Sequence, residues 1–383
     1  MPRFKKIVIF ILCSLLIFSI SPGKTKAVSV SAYSAILIDQ DTGRVLYEKR
    51  AHEKRRIASI TKIMTAILAI ESGKMDEMVT VSSNAFGTEG SSLYLKKGEK
   101  IKLQDLVYGL MLRSGNDAAV AIAEHVGGSV EGFAFLMNQK AFEIGMNNSH
   151  FTNPHGLDDS DDHYSTAYDM AILTAYAMKN EAYQKISGTK VHRAPNPGEK
   201  WDRVWRNKNK LLTRLYDYST GGKTGFTEKA RRTLVSTATK GDMNLIAVTL
   251  NAPSDWDDHI HMFEYGFDQY DNMKLLHKGQ IPELDDSFYE GKVSIHSDYS
   301  YPLTAEEKDQ IRVEYRMIEP KKRWERHQED IPEIVGKAIV YFKEEVVKEL
   351  PIFYEGEVPK DEKTWFEWFK GVFTAFIGVD MYG

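Results

Sequence analysis

A serine and a lysine three residues apart could act as a nucleophile and its base. Ser59-Ile60-Thr61-Lys62 opens an apolar run with the spacing of one helix face, at Ile60, Ile63, Met64, Ile67 and Leu68. Residues three apart on a helix project from nearly the same side, so the Lys62 amine can reach the Ser59 hydroxyl. A serine that gives its proton to a neighbouring base can attack a carbonyl and form an acyl-enzyme. The alternative is a helix-capping serine followed by a solvated lysine.

The Ser-x-x-Lys spacing is weak by itself, because the chain contains it three times. Ser187 with Lys190 and Ser21 with Lys24 repeat it. The residues after Ser187 have no helical apolar period, and Ser21 lies in an amino-terminal leader. We therefore expect only the copy at Ser59 to do chemistry.

Two further fragments follow in order and make the pattern more specific. Ser114-Gly115-Asn116 lies between a helical apolar stripe over 103–111 and an alanine-rich helical run over 117–126. A tight loop between two helices lets short polar side chains point into a cleft. Taken alone, an ordinary turn explains the same residues.

The third fragment is Lys223-Thr224-Gly225, within the run 221–226. Two strand-like runs follow, at 232–239 and 245–250. Glycines beside the Lys-Thr pair suit an edge strand that a ligand backbone can approach closely. The alternative is an exposed β-turn, but three ordered fragments are more specific than any one.

The remaining pattern predicts a mixed α/β (α+β) fold with an antiparallel sheet and a helical subdomain. A hairpin is expected at 32–38 and 44–48, helices from 59 to 180, strands from 223 to 250, and a helix at 254–270. We assign residues 28–276 to this domain. Short strands at 292–295, 311–318 and 338–342 then indicate a small all-β domain over 277–355.

Both ends of the chain carry separate signals. Positive residues, an apolar stretch and a small-residue cleavage site predict a signal peptide over 1–27, which a retained membrane anchor would also explain. Cys13, the only cysteine, lies in it, so the mature chain would have no thiol. Residues 360–383 predict an amphipathic helix with an aromatic face, which could lie on a membrane surface or pack on the protein itself.

Composition excludes some classes of partner. The chain has 383 residues and a formal net charge of −4, and no basic stripe with interleaved aromatics is present, so nucleic acid is not an expected partner. Histidine and aspartate clusters at 155–163 and 255–261 invite a metal interpretation. Neither has the spacing of a known ligand motif, so we expect no metal and no cofactor.

Together, the three fragments resemble the Ser-x-x-Lys, Ser-x-Asn and Lys-Thr-Gly set of penicillin-binding proteins and serine β-lactamases. The whole chain is similar to the low-molecular-weight penicillin-binding proteins of the D-alanyl-D-alanine carboxypeptidase family, whose catalytic domain has the β-lactamase and transpeptidase fold. Residues 145–146, 153–157 and 165–170 are also typical of that family. The runs 55–64 and 112–117 are close to its sporulation-specific members in endospore-forming bacteria.

The resemblance implies catalytic roles for three residues. Ser59 would be the acyl-ester nucleophile, and its backbone N–H would be one donor of the oxyanion hole. Lys62 would be the general base, and burial together with the charge of Lys223 would lower its pKa enough for it to accept a proton. Ser114 would relay that proton to the leaving D-Ala amine.

The resemblance implies substrate contacts for the others. Asn116 would hydrogen-bond the peptide group of the substrate. Lys223, Thr224 and Gly225 would bind the carboxylate-bearing end, with Lys223 and Thr224 holding the carboxylate itself. The backbone N–H of Phe226 would be the second oxyanion donor.

The implied activity is removal of the terminal D-alanine from peptidoglycan stems that end in D-Ala-D-Ala, with covalent binding of β-lactams. Ser-Gly-Asn in place of Ser-Asp-Asn, and the lack of a counterpart to the deacylating glutamate, disfavour a class A β-lactamase. An endopeptidase on cross-linked muropeptides and a non-catalytic peptidoglycan or β-lactam binder remain alternatives.

The resemblance also implies a place of action. An exported protein of this family would work at the outer face of the cytoplasmic membrane or in the cell-wall space. A sporulation-specific member would act at the forespore membranes and limit cross-linking of the spore cortex. The helix at 360–383 would supply the contact with the membrane surface.

Overall fold

The computed structural model describes residues 28–196, 198–282, 284 and 286–356. The expected signal peptide at 1–27 and the amphipathic helix at 360–383 lie outside the described residues, so both stay predictions. The chain divides into two compact units, with the boundary between Tyr270 and Asp271. They are called unit 1 and unit 2 below.

Unit 1 contains most of the helices and nine strands among the described residues. Its strands are β1 Ser34–Asp39, β2 Val45–Lys49, β3 Met78–Thr80, β4 Lys100–Lys102, β5 Val191–Ala194, β6 Arg203–Arg206, β7 Ser219–Thr227, β8 Arg231–Lys240 and β9 Met243–Leu250. Its α-helices are α1 Lys62–Glu71, α2 Leu103–Arg113, α3 Asn116–Gly127, α4 Val130–Glu143, α5 Ala167–Ala177, α6 Glu181–Ser187 and α7 Asp255–Gln269. A 3₁₀ turn at Ala58–Thr61 and a π-type turn at Leu211–Leu215 complete it.

A five-stranded antiparallel sheet forms the centre of unit 1. The strand order is β2-β1-β9-β8-β7, which places β7 at an edge. Alternate residues of a strand point to opposite faces, and both faces are covered here. Ile36 belongs to the core shared with α1, α2 and α3, whereas Leu37 packs with Met262 and Phe263 of α7. The predicted α/β architecture with an antiparallel sheet is thereby confirmed, and β7 lies at an edge as its glycines indicated.

The start of α1 differs from the sequence prediction. The apolar period placed Ser59 at the first turn of an α-helix, but α1 begins at Lys62 and Ser59 lies in the preceding 3₁₀ turn. Contacts from distant segments hold this turn. The Thr233 hydroxyl donates to the Ile57 carbonyl at 2.9 Å, and a Cβ at Gly156 would collide with the Ala58 carbonyl. The apolar period of the sequence could not predict either contact, because both come from residues distant in sequence.

Unit 2 is built of strands and short 3₁₀ turns. Its strands are β10 Asp271–Leu276, β11 Gly279–Gln280, β12 Val293–Ile295, β13 Tyr299–Leu303, β14 Ile311–Met317, β15 Ile334–Phe342 and β16 Glu345–Tyr354. They form a sheet of order β11-β12-β16-β15-β14 and the pair β10-β13. β10, which our sequence boundary assigned to the first domain, therefore pairs with a strand of unit 2.

No single helix within the described ranges is long and apolar enough to cross a membrane. α3 and α4 pass a test of length and composition only as a pair, and they are bent by 81° relative to each other.

Candidate active site

Ser59 is presented by a short turn with unusual backbone geometry. Ala58, immediately before it, has a φ of 49°, which is rare for a residue with a side chain. Gly156, at a φ of 83°, lies against the Ala58 carbonyl, where only glycine fits. Backbone conformations of this kind persist only when the surrounding structure imposes them. Here the 156 loop and the Thr233 hydroxyl do so.

Lys62 lies beneath Ser59 as the first residue of α1, and its side chain is fully buried. Its Nζ is 2.9 Å from Ser59 Oγ, 2.7 Å from Asn116 Oδ1 and 2.7 Å from the His155 carbonyl oxygen. The amide and carbonyl oxygens can only accept, whereas a hydroxyl can donate or accept. A neutral amine has two hydrogens and one lone pair. It can therefore donate to Asn116 and His155 and accept the proton of Ser59.

The electrostatic environment favours this neutral amine. Burial, followed by the charges of Lys223 and Lys208, holds the pKa of Lys62 well below its ordinary value. Asp117 acts in the opposite direction, more weakly. Taking an ammonium out of water disfavours the charged form, and nearby like charges add to that effect. Lys62 is therefore suited to act as a base near neutral pH.

Ser114 and Asn116 come from the break between α2 and α3. Ser114 ends α2 in a left-handed conformation with a φ of 66°, and Asn116 begins α3. Asn116 Nδ2 donates to the Glu89 carbonyl at 2.6 Å, which turns Oδ1 towards Lys62. The break thus points two polar side chains to the same side as Ser59.

Lys223 approaches from the edge strand β7 and is 2% exposed. Its Nζ donates to Ser114 Oγ at 3.0 Å and to the Thr224 carbonyl at 2.7 Å. Burial, and then the charge of Lys208, lowers the pKa of Lys223 to about 7. Lys223 and Ser114 thus form a second lysine–serine pair beside that of Lys62 and Ser59.

A cleft of about 320 Å³ runs past these groups. Five of the eight predicted site residues line it: Ser59, Ser114, Thr224, Gly225 and Phe226. Lys62, Asn116 and Lys223 stand behind them in the hydrogen bonds described above. A Cβ built on Gly225 would come within 3.0 Å of the Ser59 backbone nitrogen, so β7 passes close to Ser59. The structure therefore brings all eight residues together, and their individual roles stay predictions.

Sequence reasoning did not select several other residues that line the cleft. These are Ser91, Lys208, Lys210, Arg232, Asp255 and Trp256. The Lys208 amine donates to Ser91 Oγ at 3.2 Å, across 117 positions of sequence. Only Arg232 carried a usable signal, because an antiparallel pairing of the two predicted strands places it opposite Phe226.

Several side chains of the 155–163 cluster have partners within the protein. His163 Nε2 lies 2.8 Å from the hydroxyl of Thr61, which belongs to the same 3₁₀ turn as Ser59. Arg56 contacts Asp158 at 3.4 Å and also pairs with Asp161. Burial lowers the pKa of His163 to about 4 and, with the charge of Lys62, that of His155 to about 3. Both imidazoles are therefore neutral supports of the loop behind Lys62.

Side chains of the 255–261 cluster also have hydrogen-bond partners within the protein. Asp258 accepts from the backbone N–H groups of Ser31 and Ala32, at 2.7 and 3.0 Å. His259 is fully buried, and its Nε2 lies 2.9 Å from the Thr249 hydroxyl. Within the part of the chain that the structure describes, no group of three or more His, Cys, Asp or Glu residues is placed to hold a metal.

Comparison with known proteins places this geometry in a family. Residues 21–254 match the family model Peptidase S11, D-alanyl-D-alanine carboxypeptidase, and residues 270–360 match the model of the penicillin-binding protein 5 C-terminal domain. The site and both matches define a penicillin-binding protein of the carboxypeptidase class.

Individual relatives agree with the family models. D-alanyl-D-alanine carboxypeptidase DacF of Bacillus subtilis is 38% identical over 273 residues, which cover 69% of each chain. The crystal structure of penicillin-binding protein 5 from Haemophilus influenzae aligns with a TM-score of 0.69 at 25% identity, over 87% of this chain and 98% of that one. The D-alanyl-D-alanine carboxypeptidase DacD of Francisella tularensis aligns with a TM-score of 0.65 at 26% identity, over 88% and 96%. This chain belongs to the D-alanyl-D-alanine carboxypeptidase family, which confirms the family and the enzyme class predicted from the motifs.

Proposed function

We propose that the protein removes the terminal D-alanine from peptidoglycan pentapeptide stems through an acyl-enzyme on Ser59. One observation carries the proposal. The Lys62 amine, with a depressed pKa, lies between the Ser59 hydroxyl and two fixed acceptors in the wall of an open cleft. A buried lysine in that arrangement has little structural value, but it is what a serine nucleophile needs.

Acylation begins when Ser59 Oγ attacks the carbonyl carbon of the penultimate D-Ala. The hydroxyl proton passes to Lys62 Nζ as the oxygen–carbon bond forms. Negative charge then develops on the carbonyl oxygen, where the backbone N–H groups of Ser59 and Phe226 donate to it. Each such donor contributes about 3 kcal/mol to the stability of a transition state of this kind.

The bond to the leaving D-alanine breaks when its nitrogen receives a proton. Ser114 donates that proton and receives the one held by Lys62 in exchange, so Lys62 is neutral again. The Ser114 hydroxyl lies 3.0 Å from the Lys223 amine, which keeps it oriented. Water then attacks the ester carbonyl while Lys62 takes its proton, and Lys62 passes that proton to Ser59 Oγ as the ester bond breaks. Protonation of the leaving amine and activation of the nucleophile thus use two lysine–serine pairs.

The proposal also accounts for recognition of a free carboxyl terminus. Lys223 and Thr224 hold the terminal carboxylate, and Asn116 bonds the peptide group. A bound carboxylate raises the pKa of Lys223 from about 7, so the substrate supplies the charge that keeps this lysine protonated. A β-lactam with its own carboxylate would acylate Ser59 in the same way and leave slowly.

The cellular role rests on sequence resemblance alone. The runs 55–64 and 112–117 support a sporulation-specific role in limiting cross-links of the spore cortex, outside the cytoplasmic membrane. The predicted signal peptide and the predicted helix at 360–383 would deliver and hold the enzyme there.

Mass spectrometry of products from a purified pentapeptide stem tests the activity. The full chain should release one D-alanine per stem, and Ser59→Ala should release none and should no longer be labelled by a fluorescent penicillin. Ser187→Ala, in the other mature Ser-x-x-Lys copy, serves as the matched control and should keep both activities. Covalent labelling of Ser59→Ala would refute the nucleophile assignment.

Two other outcomes would favour the alternatives. Cleavage of a cross-linked muropeptide in preference to the pentapeptide would indicate an endopeptidase. Labelling by penicillin without any release of D-alanine would indicate a non-catalytic binder.

A further inference from the structure

The cleft that contains Ser59 is also lined by an arginine, Arg232. Arg232 on β8 pairs with Phe226 on β7, and both residues line the cleft together with Ser59. Directly paired residues of antiparallel strands place their side chains on the same face of a sheet, about 5 Å apart. Arg232 and Phe226 therefore form one continuous surface at the mouth of the cleft.

The guanidinium of Arg232 is held in place by neighbouring residues but keeps N–H donors for a further partner. Its Nε and Nη2 both donate to Asp255 Oδ1, at 3.0 and 2.6 Å, and its central carbon lies 5.7 Å from the centre of the Trp256 ring. Asp255 is 3% exposed, whereas the Arg232 side chain keeps 42% of its surface exposed. A guanidinium has five N–H groups. Two face Asp255, so donors remain for a ligand.

The proposed reaction at Ser59 sets the direction in which the substrate lies along β7. Under the proposed function the terminal carboxylate lies at Lys223 and Thr224, and the scissile carbonyl lies where Gly225 approaches Ser59. An extended chain advances about 3.3 Å per residue. The residue that precedes D-Ala-D-Ala therefore lies beyond Gly225, at Phe226, and its side chain comes within reach of Arg232.

The charges along the cleft indicate what that side chain should carry. Lys208, Lys210 and Arg232 line the cleft, and Asp255, the one carboxylate among the described lining residues, already faces Arg232. No acidic side chain of the described residues forms an ion pair with Lys208 or Lys210. An ammonium at the end of a substrate side chain would meet excess positive charge, whereas a carboxylate would meet a planar fork of donors.

We propose that Arg232, fixed by Asp255 and flanked by Phe226 and Trp256, is a specificity-determining residue that binds a side-chain carboxylate on the residue preceding D-Ala-D-Ala. Phe226, which is 61% exposed, and Trp256 supply apolar surface for the aliphatic part of that side chain. The enzyme then selects stems with a free carboxylate at this position over stems that carry an amide or an amine there. This inference rests on the proposed function.

Two synthetic peptides that differ in one group test the subsite. They are acetyl-L-α-aminopimelyl-D-Ala-D-Ala and the same peptide with its side-chain carboxylate converted to a carboxamide. We expect the full chain to release D-alanine from the carboxylate peptide with a kcat/KM about tenfold higher, the usual size of one charge-assisted contact. Arg232→Gln should bring the ratio close to one, and Arg232→Lys, which keeps the charge but not the fork, should give an intermediate ratio.

Arg231→Gln is the matched control, because Arg231 is the neighbouring arginine, is exposed and does not line the cleft. This variant should keep the tenfold ratio. An equal loss on both peptides in Arg232→Gln, or a wild-type ratio near one, would overturn the subsite and leave the carboxypeptidase assignment intact. Release of D-alanine from neither peptide by the wild type would overturn the proposed function, and the subsite with it.

Discussion

Replacing Lys223 by methionine should make the stability of unit 1 less dependent on pH. Lys223 is a buried ammonium whose pKa falls to about 7, from an ordinary value of 10.5. In the unfolded chain the same amine is solvated and keeps the higher pKa. Between these two pH values the unfolded state binds more protons, so the free energy of unfolding rises with pH.

The size of the effect follows from the two pKa values. A one-proton difference changes the free energy of unfolding by about 1.4 kcal/mol per pH unit, and the difference is only partial near pH 7. Integration from pH 7 to pH 9 gives a gain of about 2 kcal/mol for Lys223 alone. This stability is fully present above pH 10.5 and is lost as the pH falls through about 7. Lys62, whose pKa is also lowered by burial, changes stability in the same direction.

Calorimetry of the full chain at pH 7 and pH 9 measures the difference. The wild type should gain about 2 kcal/mol more than Lys223→Met in the transition of unit 1, which is about 4–8 °C for a unit of this size. Only the change with pH is compared, because the variant also loses bonds to Ser114 and Thr224. Lys229→Met, at an exposed lysine between β7 and β8, should behave as the wild type. Parallel pH dependences in wild type and Lys223→Met would refute the depressed pKa.

Three further variants probe the proposed nucleophile Ser59 and its proposed base Lys62 through the rate of acylation by a fluorescent penicillin. Asn116→Ala removes one of the two acceptors that hold the Lys62 amine, and should slow acylation about 100-fold, the usual effect of misplacing a catalytic group by about 1 Å. An unchanged rate would mean that the His155 carbonyl suffices. Gly225→Val places a side chain against the Ser59 backbone nitrogen and should abolish labelling, with an unchanged circular dichroism spectrum as the control for folding. Lys208→Gln removes a charge that lowers the pKa of Lys62, so the pKa of Lys62 should rise. The acylation rate falls when Lys62 gains its proton at low pH, and in the variant this fall should begin at a higher pH than in the wild type. A shift to lower pH would contradict this assignment.

Elements with strong local periodicity could be predicted from the sequence. The apolar stripe over 103–111 corresponds to α2 Leu103–Arg113, and the strand-like run 232–239 corresponds to β8 Arg231–Lys240. The stripe residues of α2 are buried as the pattern indicates, whereas β8 is buried on both faces from Thr233 to Ala238. The short pairs β3-β4 and β5-β6 have strands of three or four residues, too short to show a period.

The site could be predicted only where its residues are neighbours in sequence. Ser59, Lys62, Ser114 and Asn116 belong to recognisable fragments, and their meeting point depends on the fold. The His155 carbonyl that accepts from Lys62 is 93 positions away, and any residue type could have supplied a carbonyl. No pattern of side chains could have identified it.

The candidate active site contains groups in environments or conformations that are unfavourable for them in isolation. Two lysines are buried where solvation would favour exposure, and Ala58 and Ser114 adopt left-handed conformations. Contacts from elsewhere in the fold stabilise them: the Gly156 loop packs on Ala58, Asn116 binds Lys62, and Lys223 donates to Ser114. Strain of this kind concentrates at functional sites because it preorganises reacting groups before the substrate arrives. Under the proposed function, the helical core and the 156 loop keep Lys62 neutral and Ser59 in place, so a mutation in that loop should slow acylation even where the global fold survives.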